Sequence, residues 1–545
     1  MSIYEDPKAI HAWLDRLRGD RGTVENTWQE ISDDALGSRD FNTQRSPGMT
    51  RTDKIYDATS LDAHQLLAGG MHGLFTNPAT ENLDLELDDP RLNDDFENAV
   101  WLEDARRKMS SVISSSGSSF QQNMAEYWLD VSGWGMGGIS LMNIRGRPVF
   151  KAHPLSELFV EEGEEGKIDI VFRDATLTAR QFATRFAQAP EMPLEIQKAL
   201  ENENPEARFS VVQVIGKSDD PFAGQSPFRK EWTTSFAFLG AQDMILEIGG
   251  FDEMPLMVGR WQVETGETYG RGPGHIALPE AKMLNEMAKT KLKALQKAAD
   301  PPLLVQNESV LSGIRTNPGG VNIVEYQFGQ GGNSDPIRPL QNNAQIQLTQ
   351  EEIGSRQELV RRLFFANVLQ LFDNPEMTAE QVIQLAQRMQ QLMAPIMGRQ
   401  EGEILEPIYN RLFNMMLRMG NFLPVPTGLR GQTIKVVYRS PIVRAQRSSD
   451  GQAVLQTWQS AALIAQAGGD PSALDALDAD ASVRFIHNSN AAPRSILRDA
   501  EAVEAMRQER AQQQEQAQQL DQLGQGAEIV KTLGNALGPQ GAEAA

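Results

Sequence analysis

The sequence predicts an α+β protein built from more than one domain. Its 545 residues exceed the roughly 250–300 residues at which a single hydrophobic core usually stops growing. Apolar residues follow helical spacing in the first part of the chain, strand spacing between about residues 138 and 263, and helical spacing again afterwards. Helical and β-rich segments that are separated in this way are typical of an α+β architecture.

Three helical segments are predicted before the β-rich part. The first covers residues 8–35, and the second starts near Asp57 and stops at Asn77-Pro78, because the residue before a proline is disfavoured in a helix. The third covers about residues 93–131 and is interrupted by the serine cluster Ser114 to Ser119. Together these segments predict a helical N-terminal region.

Short runs rich in β-branched and aromatic residues predict the β-rich part. They are separated by Gly, Asp and Pro, and one helical insertion is expected near Ala179 to Leu200. The runs begin at Ile139, Ile168, Phe209, Trp232 and Met254.

Two long helices around a small insertion are predicted in the middle of the chain. The first begins at Leu278-Pro279 and ends at Asp300, because prolines follow. Residues 301–345 are Gly-, Asn- and Pro-rich and β-like, and the second helix runs from about Thr349 to Phe364. An apolar segment then leads to a helical pattern over residues 378–421.

The remainder of the chain predicts a short strand followed by helices. Thr433 to Tyr438 is β-like, and a helical region covers about residues 449–515. It ends in the Gln-rich stretch from Gln508 to Gln522, which predicts either a fraying helix or a helix that is ordered only by neighbours in an assembly.

Composition excludes several classes of site. The absence of cysteine rules out disulfides, iron–sulfur clusters, Cys-ligated zinc and a thiol nucleophile. The six histidines show no spacing that places two imidazoles on one helix face, so we expect no metal site and no cofactor. The sequence shows no signal-peptide pattern and no run of 18 apolar residues, so we expect a soluble protein made in a cytoplasm, without a membrane contact.

The net charge argues against a protein that grips nucleic acid. The formal charge is −22, which has the wrong sign for binding through neutralised phosphates. An acidic surface suits a passage through which DNA slides without sticking, but an acidic composition is common and gives this reading little weight.

Two glycine-containing stretches resemble phosphate-binding loops, and both are better explained as turns. Gly216-Lys217-Ser218 lacks the upstream glycine of a P-loop and precedes Asp219-Asp220-Pro221, so a plain turn is predicted. Gly133-Trp-Gly-Met-Gly-Gly138 follows a helix and precedes a strand, the reverse of a dinucleotide loop, so a close-packed helix-to-strand turn is predicted. No Ser/His/Asp order or paired acids stand out, and we expect no catalytic residue.

A lysine stripe on the first long helix has two readings. Lys282, Glu286, Lys289, Lys293 and Lys297 follow i+3/i+4 spacing, whereas Leu284, Ala288, Leu292 and Leu295 lie on another face. The stripe is either the exposed side of a surface helix or, in a ring of subunits, a band of positive charge around a central hole. The sequence alone leaves both readings open.

Several stretches of the chain resemble the head-to-tail connector (portal) proteins of T7-like podoviruses. They occur in the right order and cover about residues 25–305, although the chain departs from the family pattern at Asn82-Leu83. The matching residues are Trp28, Ile55 to Thr59, Leu66 to Pro78, Asp130 to Gly135, Arg260-Trp261, Tyr269, Gly270, Arg271, Gly272, Pro273, Gly274, Leu278 to Glu280 and Pro301-Pro302.

The resemblance implies a portal fold assembled as a dodecameric ring, with a β-rich wing, long stem helices, a small α/β clip and a helical crown. The implied boundaries are 1–275 for the wing, 276–299 for the first stem helix, 300–345 for the clip, 346–363 for the second stem helix, 364–377 for a tunnel loop, 378–430 for a long wing-helix region, 431–507 for the crown, and 508–545 for a C-terminal barrel helix and flexible tail.

The resemblance also implies roles for particular residues. Lysines of the stripe and two arginines of the second stem helix would line a DNA channel, namely Lys282, Lys289, Lys293, Lys297, Arg361 and Arg362. Phe364, Phe365 and Asn367 fall where that helix runs into the tunnel loop, and bulky residues there would narrow the channel.

The function that the resemblance implies is a non-enzymatic channel at one capsid vertex, used in genome packaging, retention and ejection. The expected partners are further copies of the chain, double-stranded DNA without sequence specificity, the terminase large subunit, capsid and scaffold proteins, and tail adaptor and nozzle proteins. The expected location is the virion, after assembly in the host cytoplasm. The alternatives are a tail adaptor or scaffold protein and, less in keeping with the sequence, an NTPase or nuclease of the packaging machinery.

Overall fold

The computed structural model describes the protein from Ile3 to Arg510 and a few residues beyond, with gaps. The described residues are 3–37, 41, 55–77, 83–87, 89, 95–202, 204–217, 230–240, 243–299, 303–305, 337–339, 346–367, 391, 393–432, 434–438, 441–468, 474–490, 496–498 and 502–514. The chain divides into two compact units. The first comprises residues 1–84, 108–421 and 436–442, and the second comprises 85–107, 422–435 and 443–545.

The N-terminal helix α1 (Pro7–Ile31) is set by its first residues and by one apolar face. Asp6 caps it by accepting a hydrogen bond from the Lys8 N–H at 3.0 Å, and Pro7 occupies the first turn, where a missing N–H costs nothing. A π-helical turn, Ser32–Leu36, continues the helix and ends at Gly37 with a φ of 55°. The prediction of a helix over residues 8–35 is confirmed.

The next helices also match the sequence prediction. They are α2 (Thr59–Phe75), α3 (Phe96–Ser114) and α4 (Phe120–Trp134), with a short strand β1 (Leu83–Leu87) between α2 and α3. The serine cluster separates α3 from α4 as expected, because Ser115 caps a single 3₁₀ turn and Ser119 adopts a left-handed φ of 56°.

The β-rich part forms two antiparallel sheets in the first unit. The strands are β2 (Met136–Ile144), β3 (Arg147–His153), β4 (Leu158–Glu162), β5 (Ile168–Thr178), β6 (Arg208–Lys217), β7 (Trp232–Phe238), β8 (Met244–Phe251) and β9 (Leu256–Arg260). The three-stranded sheet has the order β3-β2-β9, and the five-stranded sheet has the sequential order β4 to β8. The sequence prediction missed β3, β4 and β8.

Helices cover both faces of the five-stranded sheet, because neighbouring residues of a strand point to opposite sides. Val212 packs with Ile10 and Leu14 of α1. The adjacent Val211 packs on the other face with the helical insertion, which is α5 (Ala179–Arg185) and α6 (Leu194–Glu201). A helical insertion was predicted at this place and is confirmed.

The prediction of a plain turn at Gly216 was wrong. Gly216 and Lys217 are the last residues of β6, where Gly216 pairs with Ile170 on one side and Thr233 on the other. Glycine is needed there because a Cβ would collide with the Tyr4 hydroxyl. Ser218 lies outside the described residues.

The two long helices of the middle region are α7 (Pro273–Ala299) and α8 (Ile346–Leu363). Between them, β10 (Leu303–Val305) pairs antiparallel with β11 (Ile337–Pro339), whereas most of the predicted insertion lies outside the described residues. The predicted start of α7 at Leu278 was wrong, because the helix begins five residues earlier and contains Pro279. Prolines usually mark a first turn, which is why the sequence pattern was misleading here.

The helical pattern predicted over residues 378–421 is described from residue 393. It ends in α9 (Glu406–Arg418), and a π-helical turn, Glu401–Leu405, precedes α9. Pro407 accounts for this turn, because it has no N–H to donate to the Glu403 carbonyl four residues earlier. The short strand β12 (Ile434–Tyr438) follows, as predicted.

The last helices belong mainly to the second unit. They are α10 (Pro441–Gly468), α11 (Ala479–Ser489) and a helical segment over 502–514. Asp478 caps α11 through the Asp480 and Ala481 N–H groups, and Arg507 bonds both carboxylate oxygens of Asp480 at 2.6 Å. None of the described helices is long and apolar enough to cross a membrane.

Candidate functional site

The helices α7 and α8 lie side by side and antiparallel. Arg356 of α8 bonds Glu280 of α7 at 2.7 Å, and Gln350, six residues earlier in α8, bonds Lys291, eleven residues later in α7. Residue numbers in α7 therefore increase in the direction in which residue numbers in α8 decrease. The β10–β11 pair lies in the connection between these helices.

The lysine stripe lies on the side of α7 that is turned away from α8. At about 100° per residue, Lys282, Lys289 and Lys293 fall roughly 180–220° from Glu280, which marks the α8 side, and Lys297 falls at about 260°, at the edge of this surface. Lys282 bonds Glu30 at 2.7 Å, and Lys289 bonds Glu286 at 3.1 Å with its ammonium group above the Tyr56 ring. Lys293 and Lys297 are exposed. The hydrogen bond to Glu286 raises the pKa of Lys289 above its ordinary value.

The two arginines do not share that surface. Arg362 is exposed on α8 and lies with Glu351 and Glu358 on the face that is turned away from α7, whereas Arg361 lies at the edge of the helix pair. The lysine stripe and the arginine pair therefore point in different directions. The sequence prediction treated them as one set, and the geometry separates them.

Glycines allow the base of α7 to meet α4 backbone to backbone. Gly135 ends α4 with a left-handed φ of 83°, which an L side chain rarely adopts. A Cβ at Gly270, Gly272 or Gly274 would collide with backbone atoms of Gly133 or Gly135. The predicted helix-to-strand turn at Gly133 to Gly138 is confirmed, and most residues of the Tyr269 to Gly274 motif serve packing.

Polar and aromatic contacts fix the same base. The Tyr269 ring packs edge-on against Trp28, and burial raises the pKa of its hydroxyl to about 12. The His275 ring accepts a hydrogen bond from the Gly272 N–H at 3.2 Å, and burial lowers the pKa of this histidine to about 4. Arg271 is the exception in the motif, since it is exposed and paired with Glu267 and Glu264.

Asn285 ties α7 to the N-terminal helices. Its buried amide donates to the Asp34 carbonyl at 2.9 Å and accepts from the Tyr56 and Asp57 N–H groups at 3.1 Å. One side chain thus satisfies three backbone groups of the chain that runs into α2.

Arg260 is fully buried beside this base and pairs with two carboxylates, Glu403 and Glu162, that are 10% and 30% exposed. Its guanidinium bonds Glu403 at 2.8 and 3.2 Å, the Thr268 and Gly166 carbonyls, and Glu162. Burial alone lowers the pKa of Arg260, but the two carboxylates outweigh it and raise that pKa. Arg260 thus connects the end of β9 to Glu403 in the π-helical turn, 143 residues later.

The residues predicted to narrow a channel fall in different environments. Phe364 is fully buried against His64, with ring centroids 6.2 Å apart, so in this conformation it belongs to the core. Phe365 is half-buried, contacts the Trp261 ring at 6.4 Å and has a left-handed φ of 56°. Asn367 is exposed. Of the three, only Phe365 and Asn367 are open to solvent.

The sequence did not reveal the roles of Glu403 and Trp261. Glu403 is one of many acidic residues, and its partner Arg260 is distant in the chain, so no local pattern marks the pair. In the sequence, only the Arg260-Trp261 dipeptide indicates that this position is important, and it does so through the resemblance to the connector proteins. Among the described residues, no group of three or more His, Cys, Asp or Glu side chains could hold a metal ion.

Comparison with known proteins identifies the family. The family model described as bacteriophage head to tail connecting protein matches residues 7–497. The chain belongs to this family. It is 26% identical to the portal protein of Salmonella phage epsilon15 over 515 residues, which cover 91% of this chain and 90% of that protein. It is 25% identical to the probable portal protein of Bordetella phage BPP-1 over 553 residues, which cover 98% of this chain and 96% of that protein.

Membership in the head to tail connecting family confirms the resemblance drawn from the sequence motifs. The match extends past residue 425, beyond which the sequence alone showed only a similar order of elements. The chain is therefore a portal-type head–tail connector of a bacteriophage, and the mixed helical and sheet fold agrees with the predicted α+β class.

Proposed function

We propose that copies of this chain form a ring, of about twelve subunits, through which the phage genome enters and leaves the capsid at one vertex. The observation that carries the proposal is the lysine stripe on the side of α7 turned away from α8. Rotation about a ring axis repeats each lysine, so a modest stripe becomes a closed band of positive charge around the hole. Phosphates of a sliding duplex meet the same field at every angle.

The lysines differ in how freely they can meet DNA. Lys282 and Lys289 already have carboxylate partners, Glu30 and Glu286. Lys293 and Lys297 are exposed, and no ion pair is found for them within the described part of the chain. We therefore assign the main channel contact to Lys293, with Lys297 at the edge of the band and weaker contributions from Lys282 and Lys289. Arg361 and Arg362 face elsewhere and are assigned to contacts outside this band.

A constriction beyond α8 is part of the same proposal. Phe364 serves as the buried anchor of the segment, and Phe365 and Asn367 are the residues next to it that are open to solvent. In this arrangement the three predicted residues do not all narrow the passage, because the ring of Phe364 is held inside the subunit.

The proposed work of the ring is passive. Packaging energy comes from an ATP-driven terminase docked on the ring, and capsid, scaffold, tail adaptor and nozzle proteins bind it in turn. The chain acts without catalysis or cofactor, assembles in the host cytoplasm and resides at the portal vertex of the virion. Gly216 and Lys217 belong to a paired strand, so these two residues do not form a phosphate-binding loop.

The first test is the native mass of the purified protein, combined with negative-stain images of the same sample. We expect rings of about twelve subunits with a central hole that admits a duplex. A stable monomer with ATPase activity would contradict the proposal and favour an enzyme of the packaging machinery.

The second test replaces the two exposed lysines together, as Lys293→Glu with Lys297→Glu. We expect rings of unchanged mass but a clear drop in DNA packaged or retained, because the positive band becomes negative. The matched control is Lys198→Glu, an exposed lysine of α6 away from the stem, which should leave packaging unchanged. If the double variant and the control package the same amount of DNA, these lysines do not contact DNA in the channel.

A further inference from the structure

The helix α7 carries two uncovered apolar surfaces. The first apolar surface consists of Ile276 and Met283, which are 57% and 46% exposed. The second apolar surface consists of Leu292 and Leu295, which are 47% and 42% exposed. Single exposed apolar side chains are common on proteins, whereas exposed apolar side chains that share a face of one helix are typical of interaction sites.

The two surfaces lie on opposite sides of the α7–α8 pair. Taking Glu280 as the direction of α8, Ile276 and Met283 fall roughly 40–60° to one side, and Leu292 and Leu295 fall roughly 60–120° to the other. Leu284, which is buried against the body, lies on the same side as the second surface. The second surface therefore continues the core-facing side of α7, beyond the part of the helix that is buried against the rest of the subunit.

From this geometry we propose that the two surfaces bind each other between neighbouring copies, the first surface of one subunit contacting the second surface of the next. This inference rests on the proposed ring. A contact between two different patches is heterologous, and repetition about an axis closes it into a ring. The lysine stripe lies roughly opposite α8 and between the two surfaces. The rotation that relates neighbouring subunits therefore places the stripes of all copies on the same side of the ring wall.

The contact also sets how the helices lie in the ring. The centres of the two surfaces are about 14 residues apart, or about 20 Å along α7 at about 1.5 Å per residue. Neighbouring α7 helices must therefore be displaced along their length, and the helix pairs are tilted against the ring axis. An image of the ring in which these helices run parallel to the axis would contradict the contact.

The decisive experiment uses two full-length variants, Ile276→Glu with Met283→Glu, and Leu292→Glu with Leu295→Glu. All four positions are exposed in the single subunit, so both variants should fold, as circular dichroism checks. Each variant alone should lose rings, because every junction then lacks one half. An equimolar mixture should form one-to-one dimers in native mass spectrometry, since each variant supplies the half that the other lacks.

The outcomes separate this inference from the proposed function. Wild-type protein without rings would defeat the proposed function itself. Wild-type rings together with rings from either glutamate variant would defeat only the assignment of the surfaces. Dimers of one variant with itself would indicate a symmetric contact and contradict the heterologous one. The control Leu194→Glu, at an exposed leucine of α6, should leave the rings intact.

A cysteine pair provides a second readout, because the chain contains no cysteine. Met283→Cys copies mixed with Leu292→Cys copies should form disulfide-linked dimers under oxidation, and neither single variant should do so alone. Linkage within one variant, or none in the mixture while rings form, would overturn the contact.

Discussion

The base and the outer half of α7 follow different rules. At the base, Gly272 and Gly274 meet the end of α4 backbone to backbone, and Asn285 satisfies three backbone groups of the N-terminal region. Beyond Glu286 the same helix is mostly exposed and presents lysines and uncovered leucines. The base is thus determined by packing within one subunit, whereas the outer half is suited to neighbours and to DNA. Substitutions in the two halves should accordingly have different kinds of effect.

The largest effect is expected at the glycine-built base. Gly272→Val places side-chain atoms on the backbone of Gly135 and Val131, neither of which can move aside, so we expect no folded protein. The matched control is Gly354→Ala in α8, where nothing lies within 4 Å of the added Cβ. It should be neutral or stabilise by up to about 1 kcal/mol. Soluble yield and chemical denaturation measure both, and a cooperatively folding Gly272→Val protein would contradict the close packing.

Removal of the buried guanidinium should be the next largest effect. Arg260→Met takes the buried guanidinium away from Glu162 and from Glu403, which keeps a second partner in Arg399 at 3.0 Å. We expect a loss of roughly 3–5 kcal/mol in the free energy of unfolding. The double variant Arg260→Met with Glu403→Leu should regain a large part of that loss, because no buried charge is stranded. Additive losses in the double variant would show that the two residues do not act as a pair.

The end of α8 offers a test of core against channel. Phe364→Ala should cost roughly 3–5 kcal/mol, because it empties a fully buried site beside His64. Asn367→Ala, three residues later and exposed, should change stability by less than about 0.5 kcal/mol. If the Phe364→Ala protein is as stable as the wild type, Phe364 is not part of the core, and a position in the channel wall is favoured.

The effect that is smallest at neutral pH is the pH dependence contributed by His275. Its folded pKa of about 4 lies below the ordinary value of 6.5, so the unfolded chain binds the extra proton first as pH falls. The stability contribution of neutral His275 is therefore complete above pH 6.5 and is lost between 6.5 and about 4. His275→Asn keeps an acceptor for the Gly272 N–H without a titrating ring, and its melting temperature should fall less over this range. If the two proteins show the same dependence of melting temperature on pH, the titration of His275 does not contribute to stability.

Local patterns predicted much of the fold. The apolar spacing of α1, the Asn77-Pro78 stop after α2 and the serine cluster after α3 each encode a boundary within a few residues, and all three are confirmed. Gly216 was misread because its neighbours in the sequence are typical of a turn. Its actual constraint is the Tyr4 hydroxyl, which belongs to the N-terminal end of the chain and is far from Gly216 in sequence.

The site was predictable to a smaller extent, since its contacts join distant residues. The lysine stripe could be recognised from its spacing alone. Its direction relative to α8 depends on the Glu280–Arg356 bond, which no helical pattern contains. Leu292 and Leu295 were predicted to lie with Leu284 on one apolar face, and they do share its side. The sequence did not indicate that the body ends before it reaches them.

The dipeptide Arg260-Trp261 fixes two points of the chain that are far apart in sequence. Trp261 contacts the Phe365 ring, and Arg260 bonds Glu403. Two residues that are far apart in the chain are therefore held by adjacent residues at the end of β9. The end of α8 and the π-helical turn before α9 are thus both attached to the end of β9, so a disturbance of this one strand end reaches two helices.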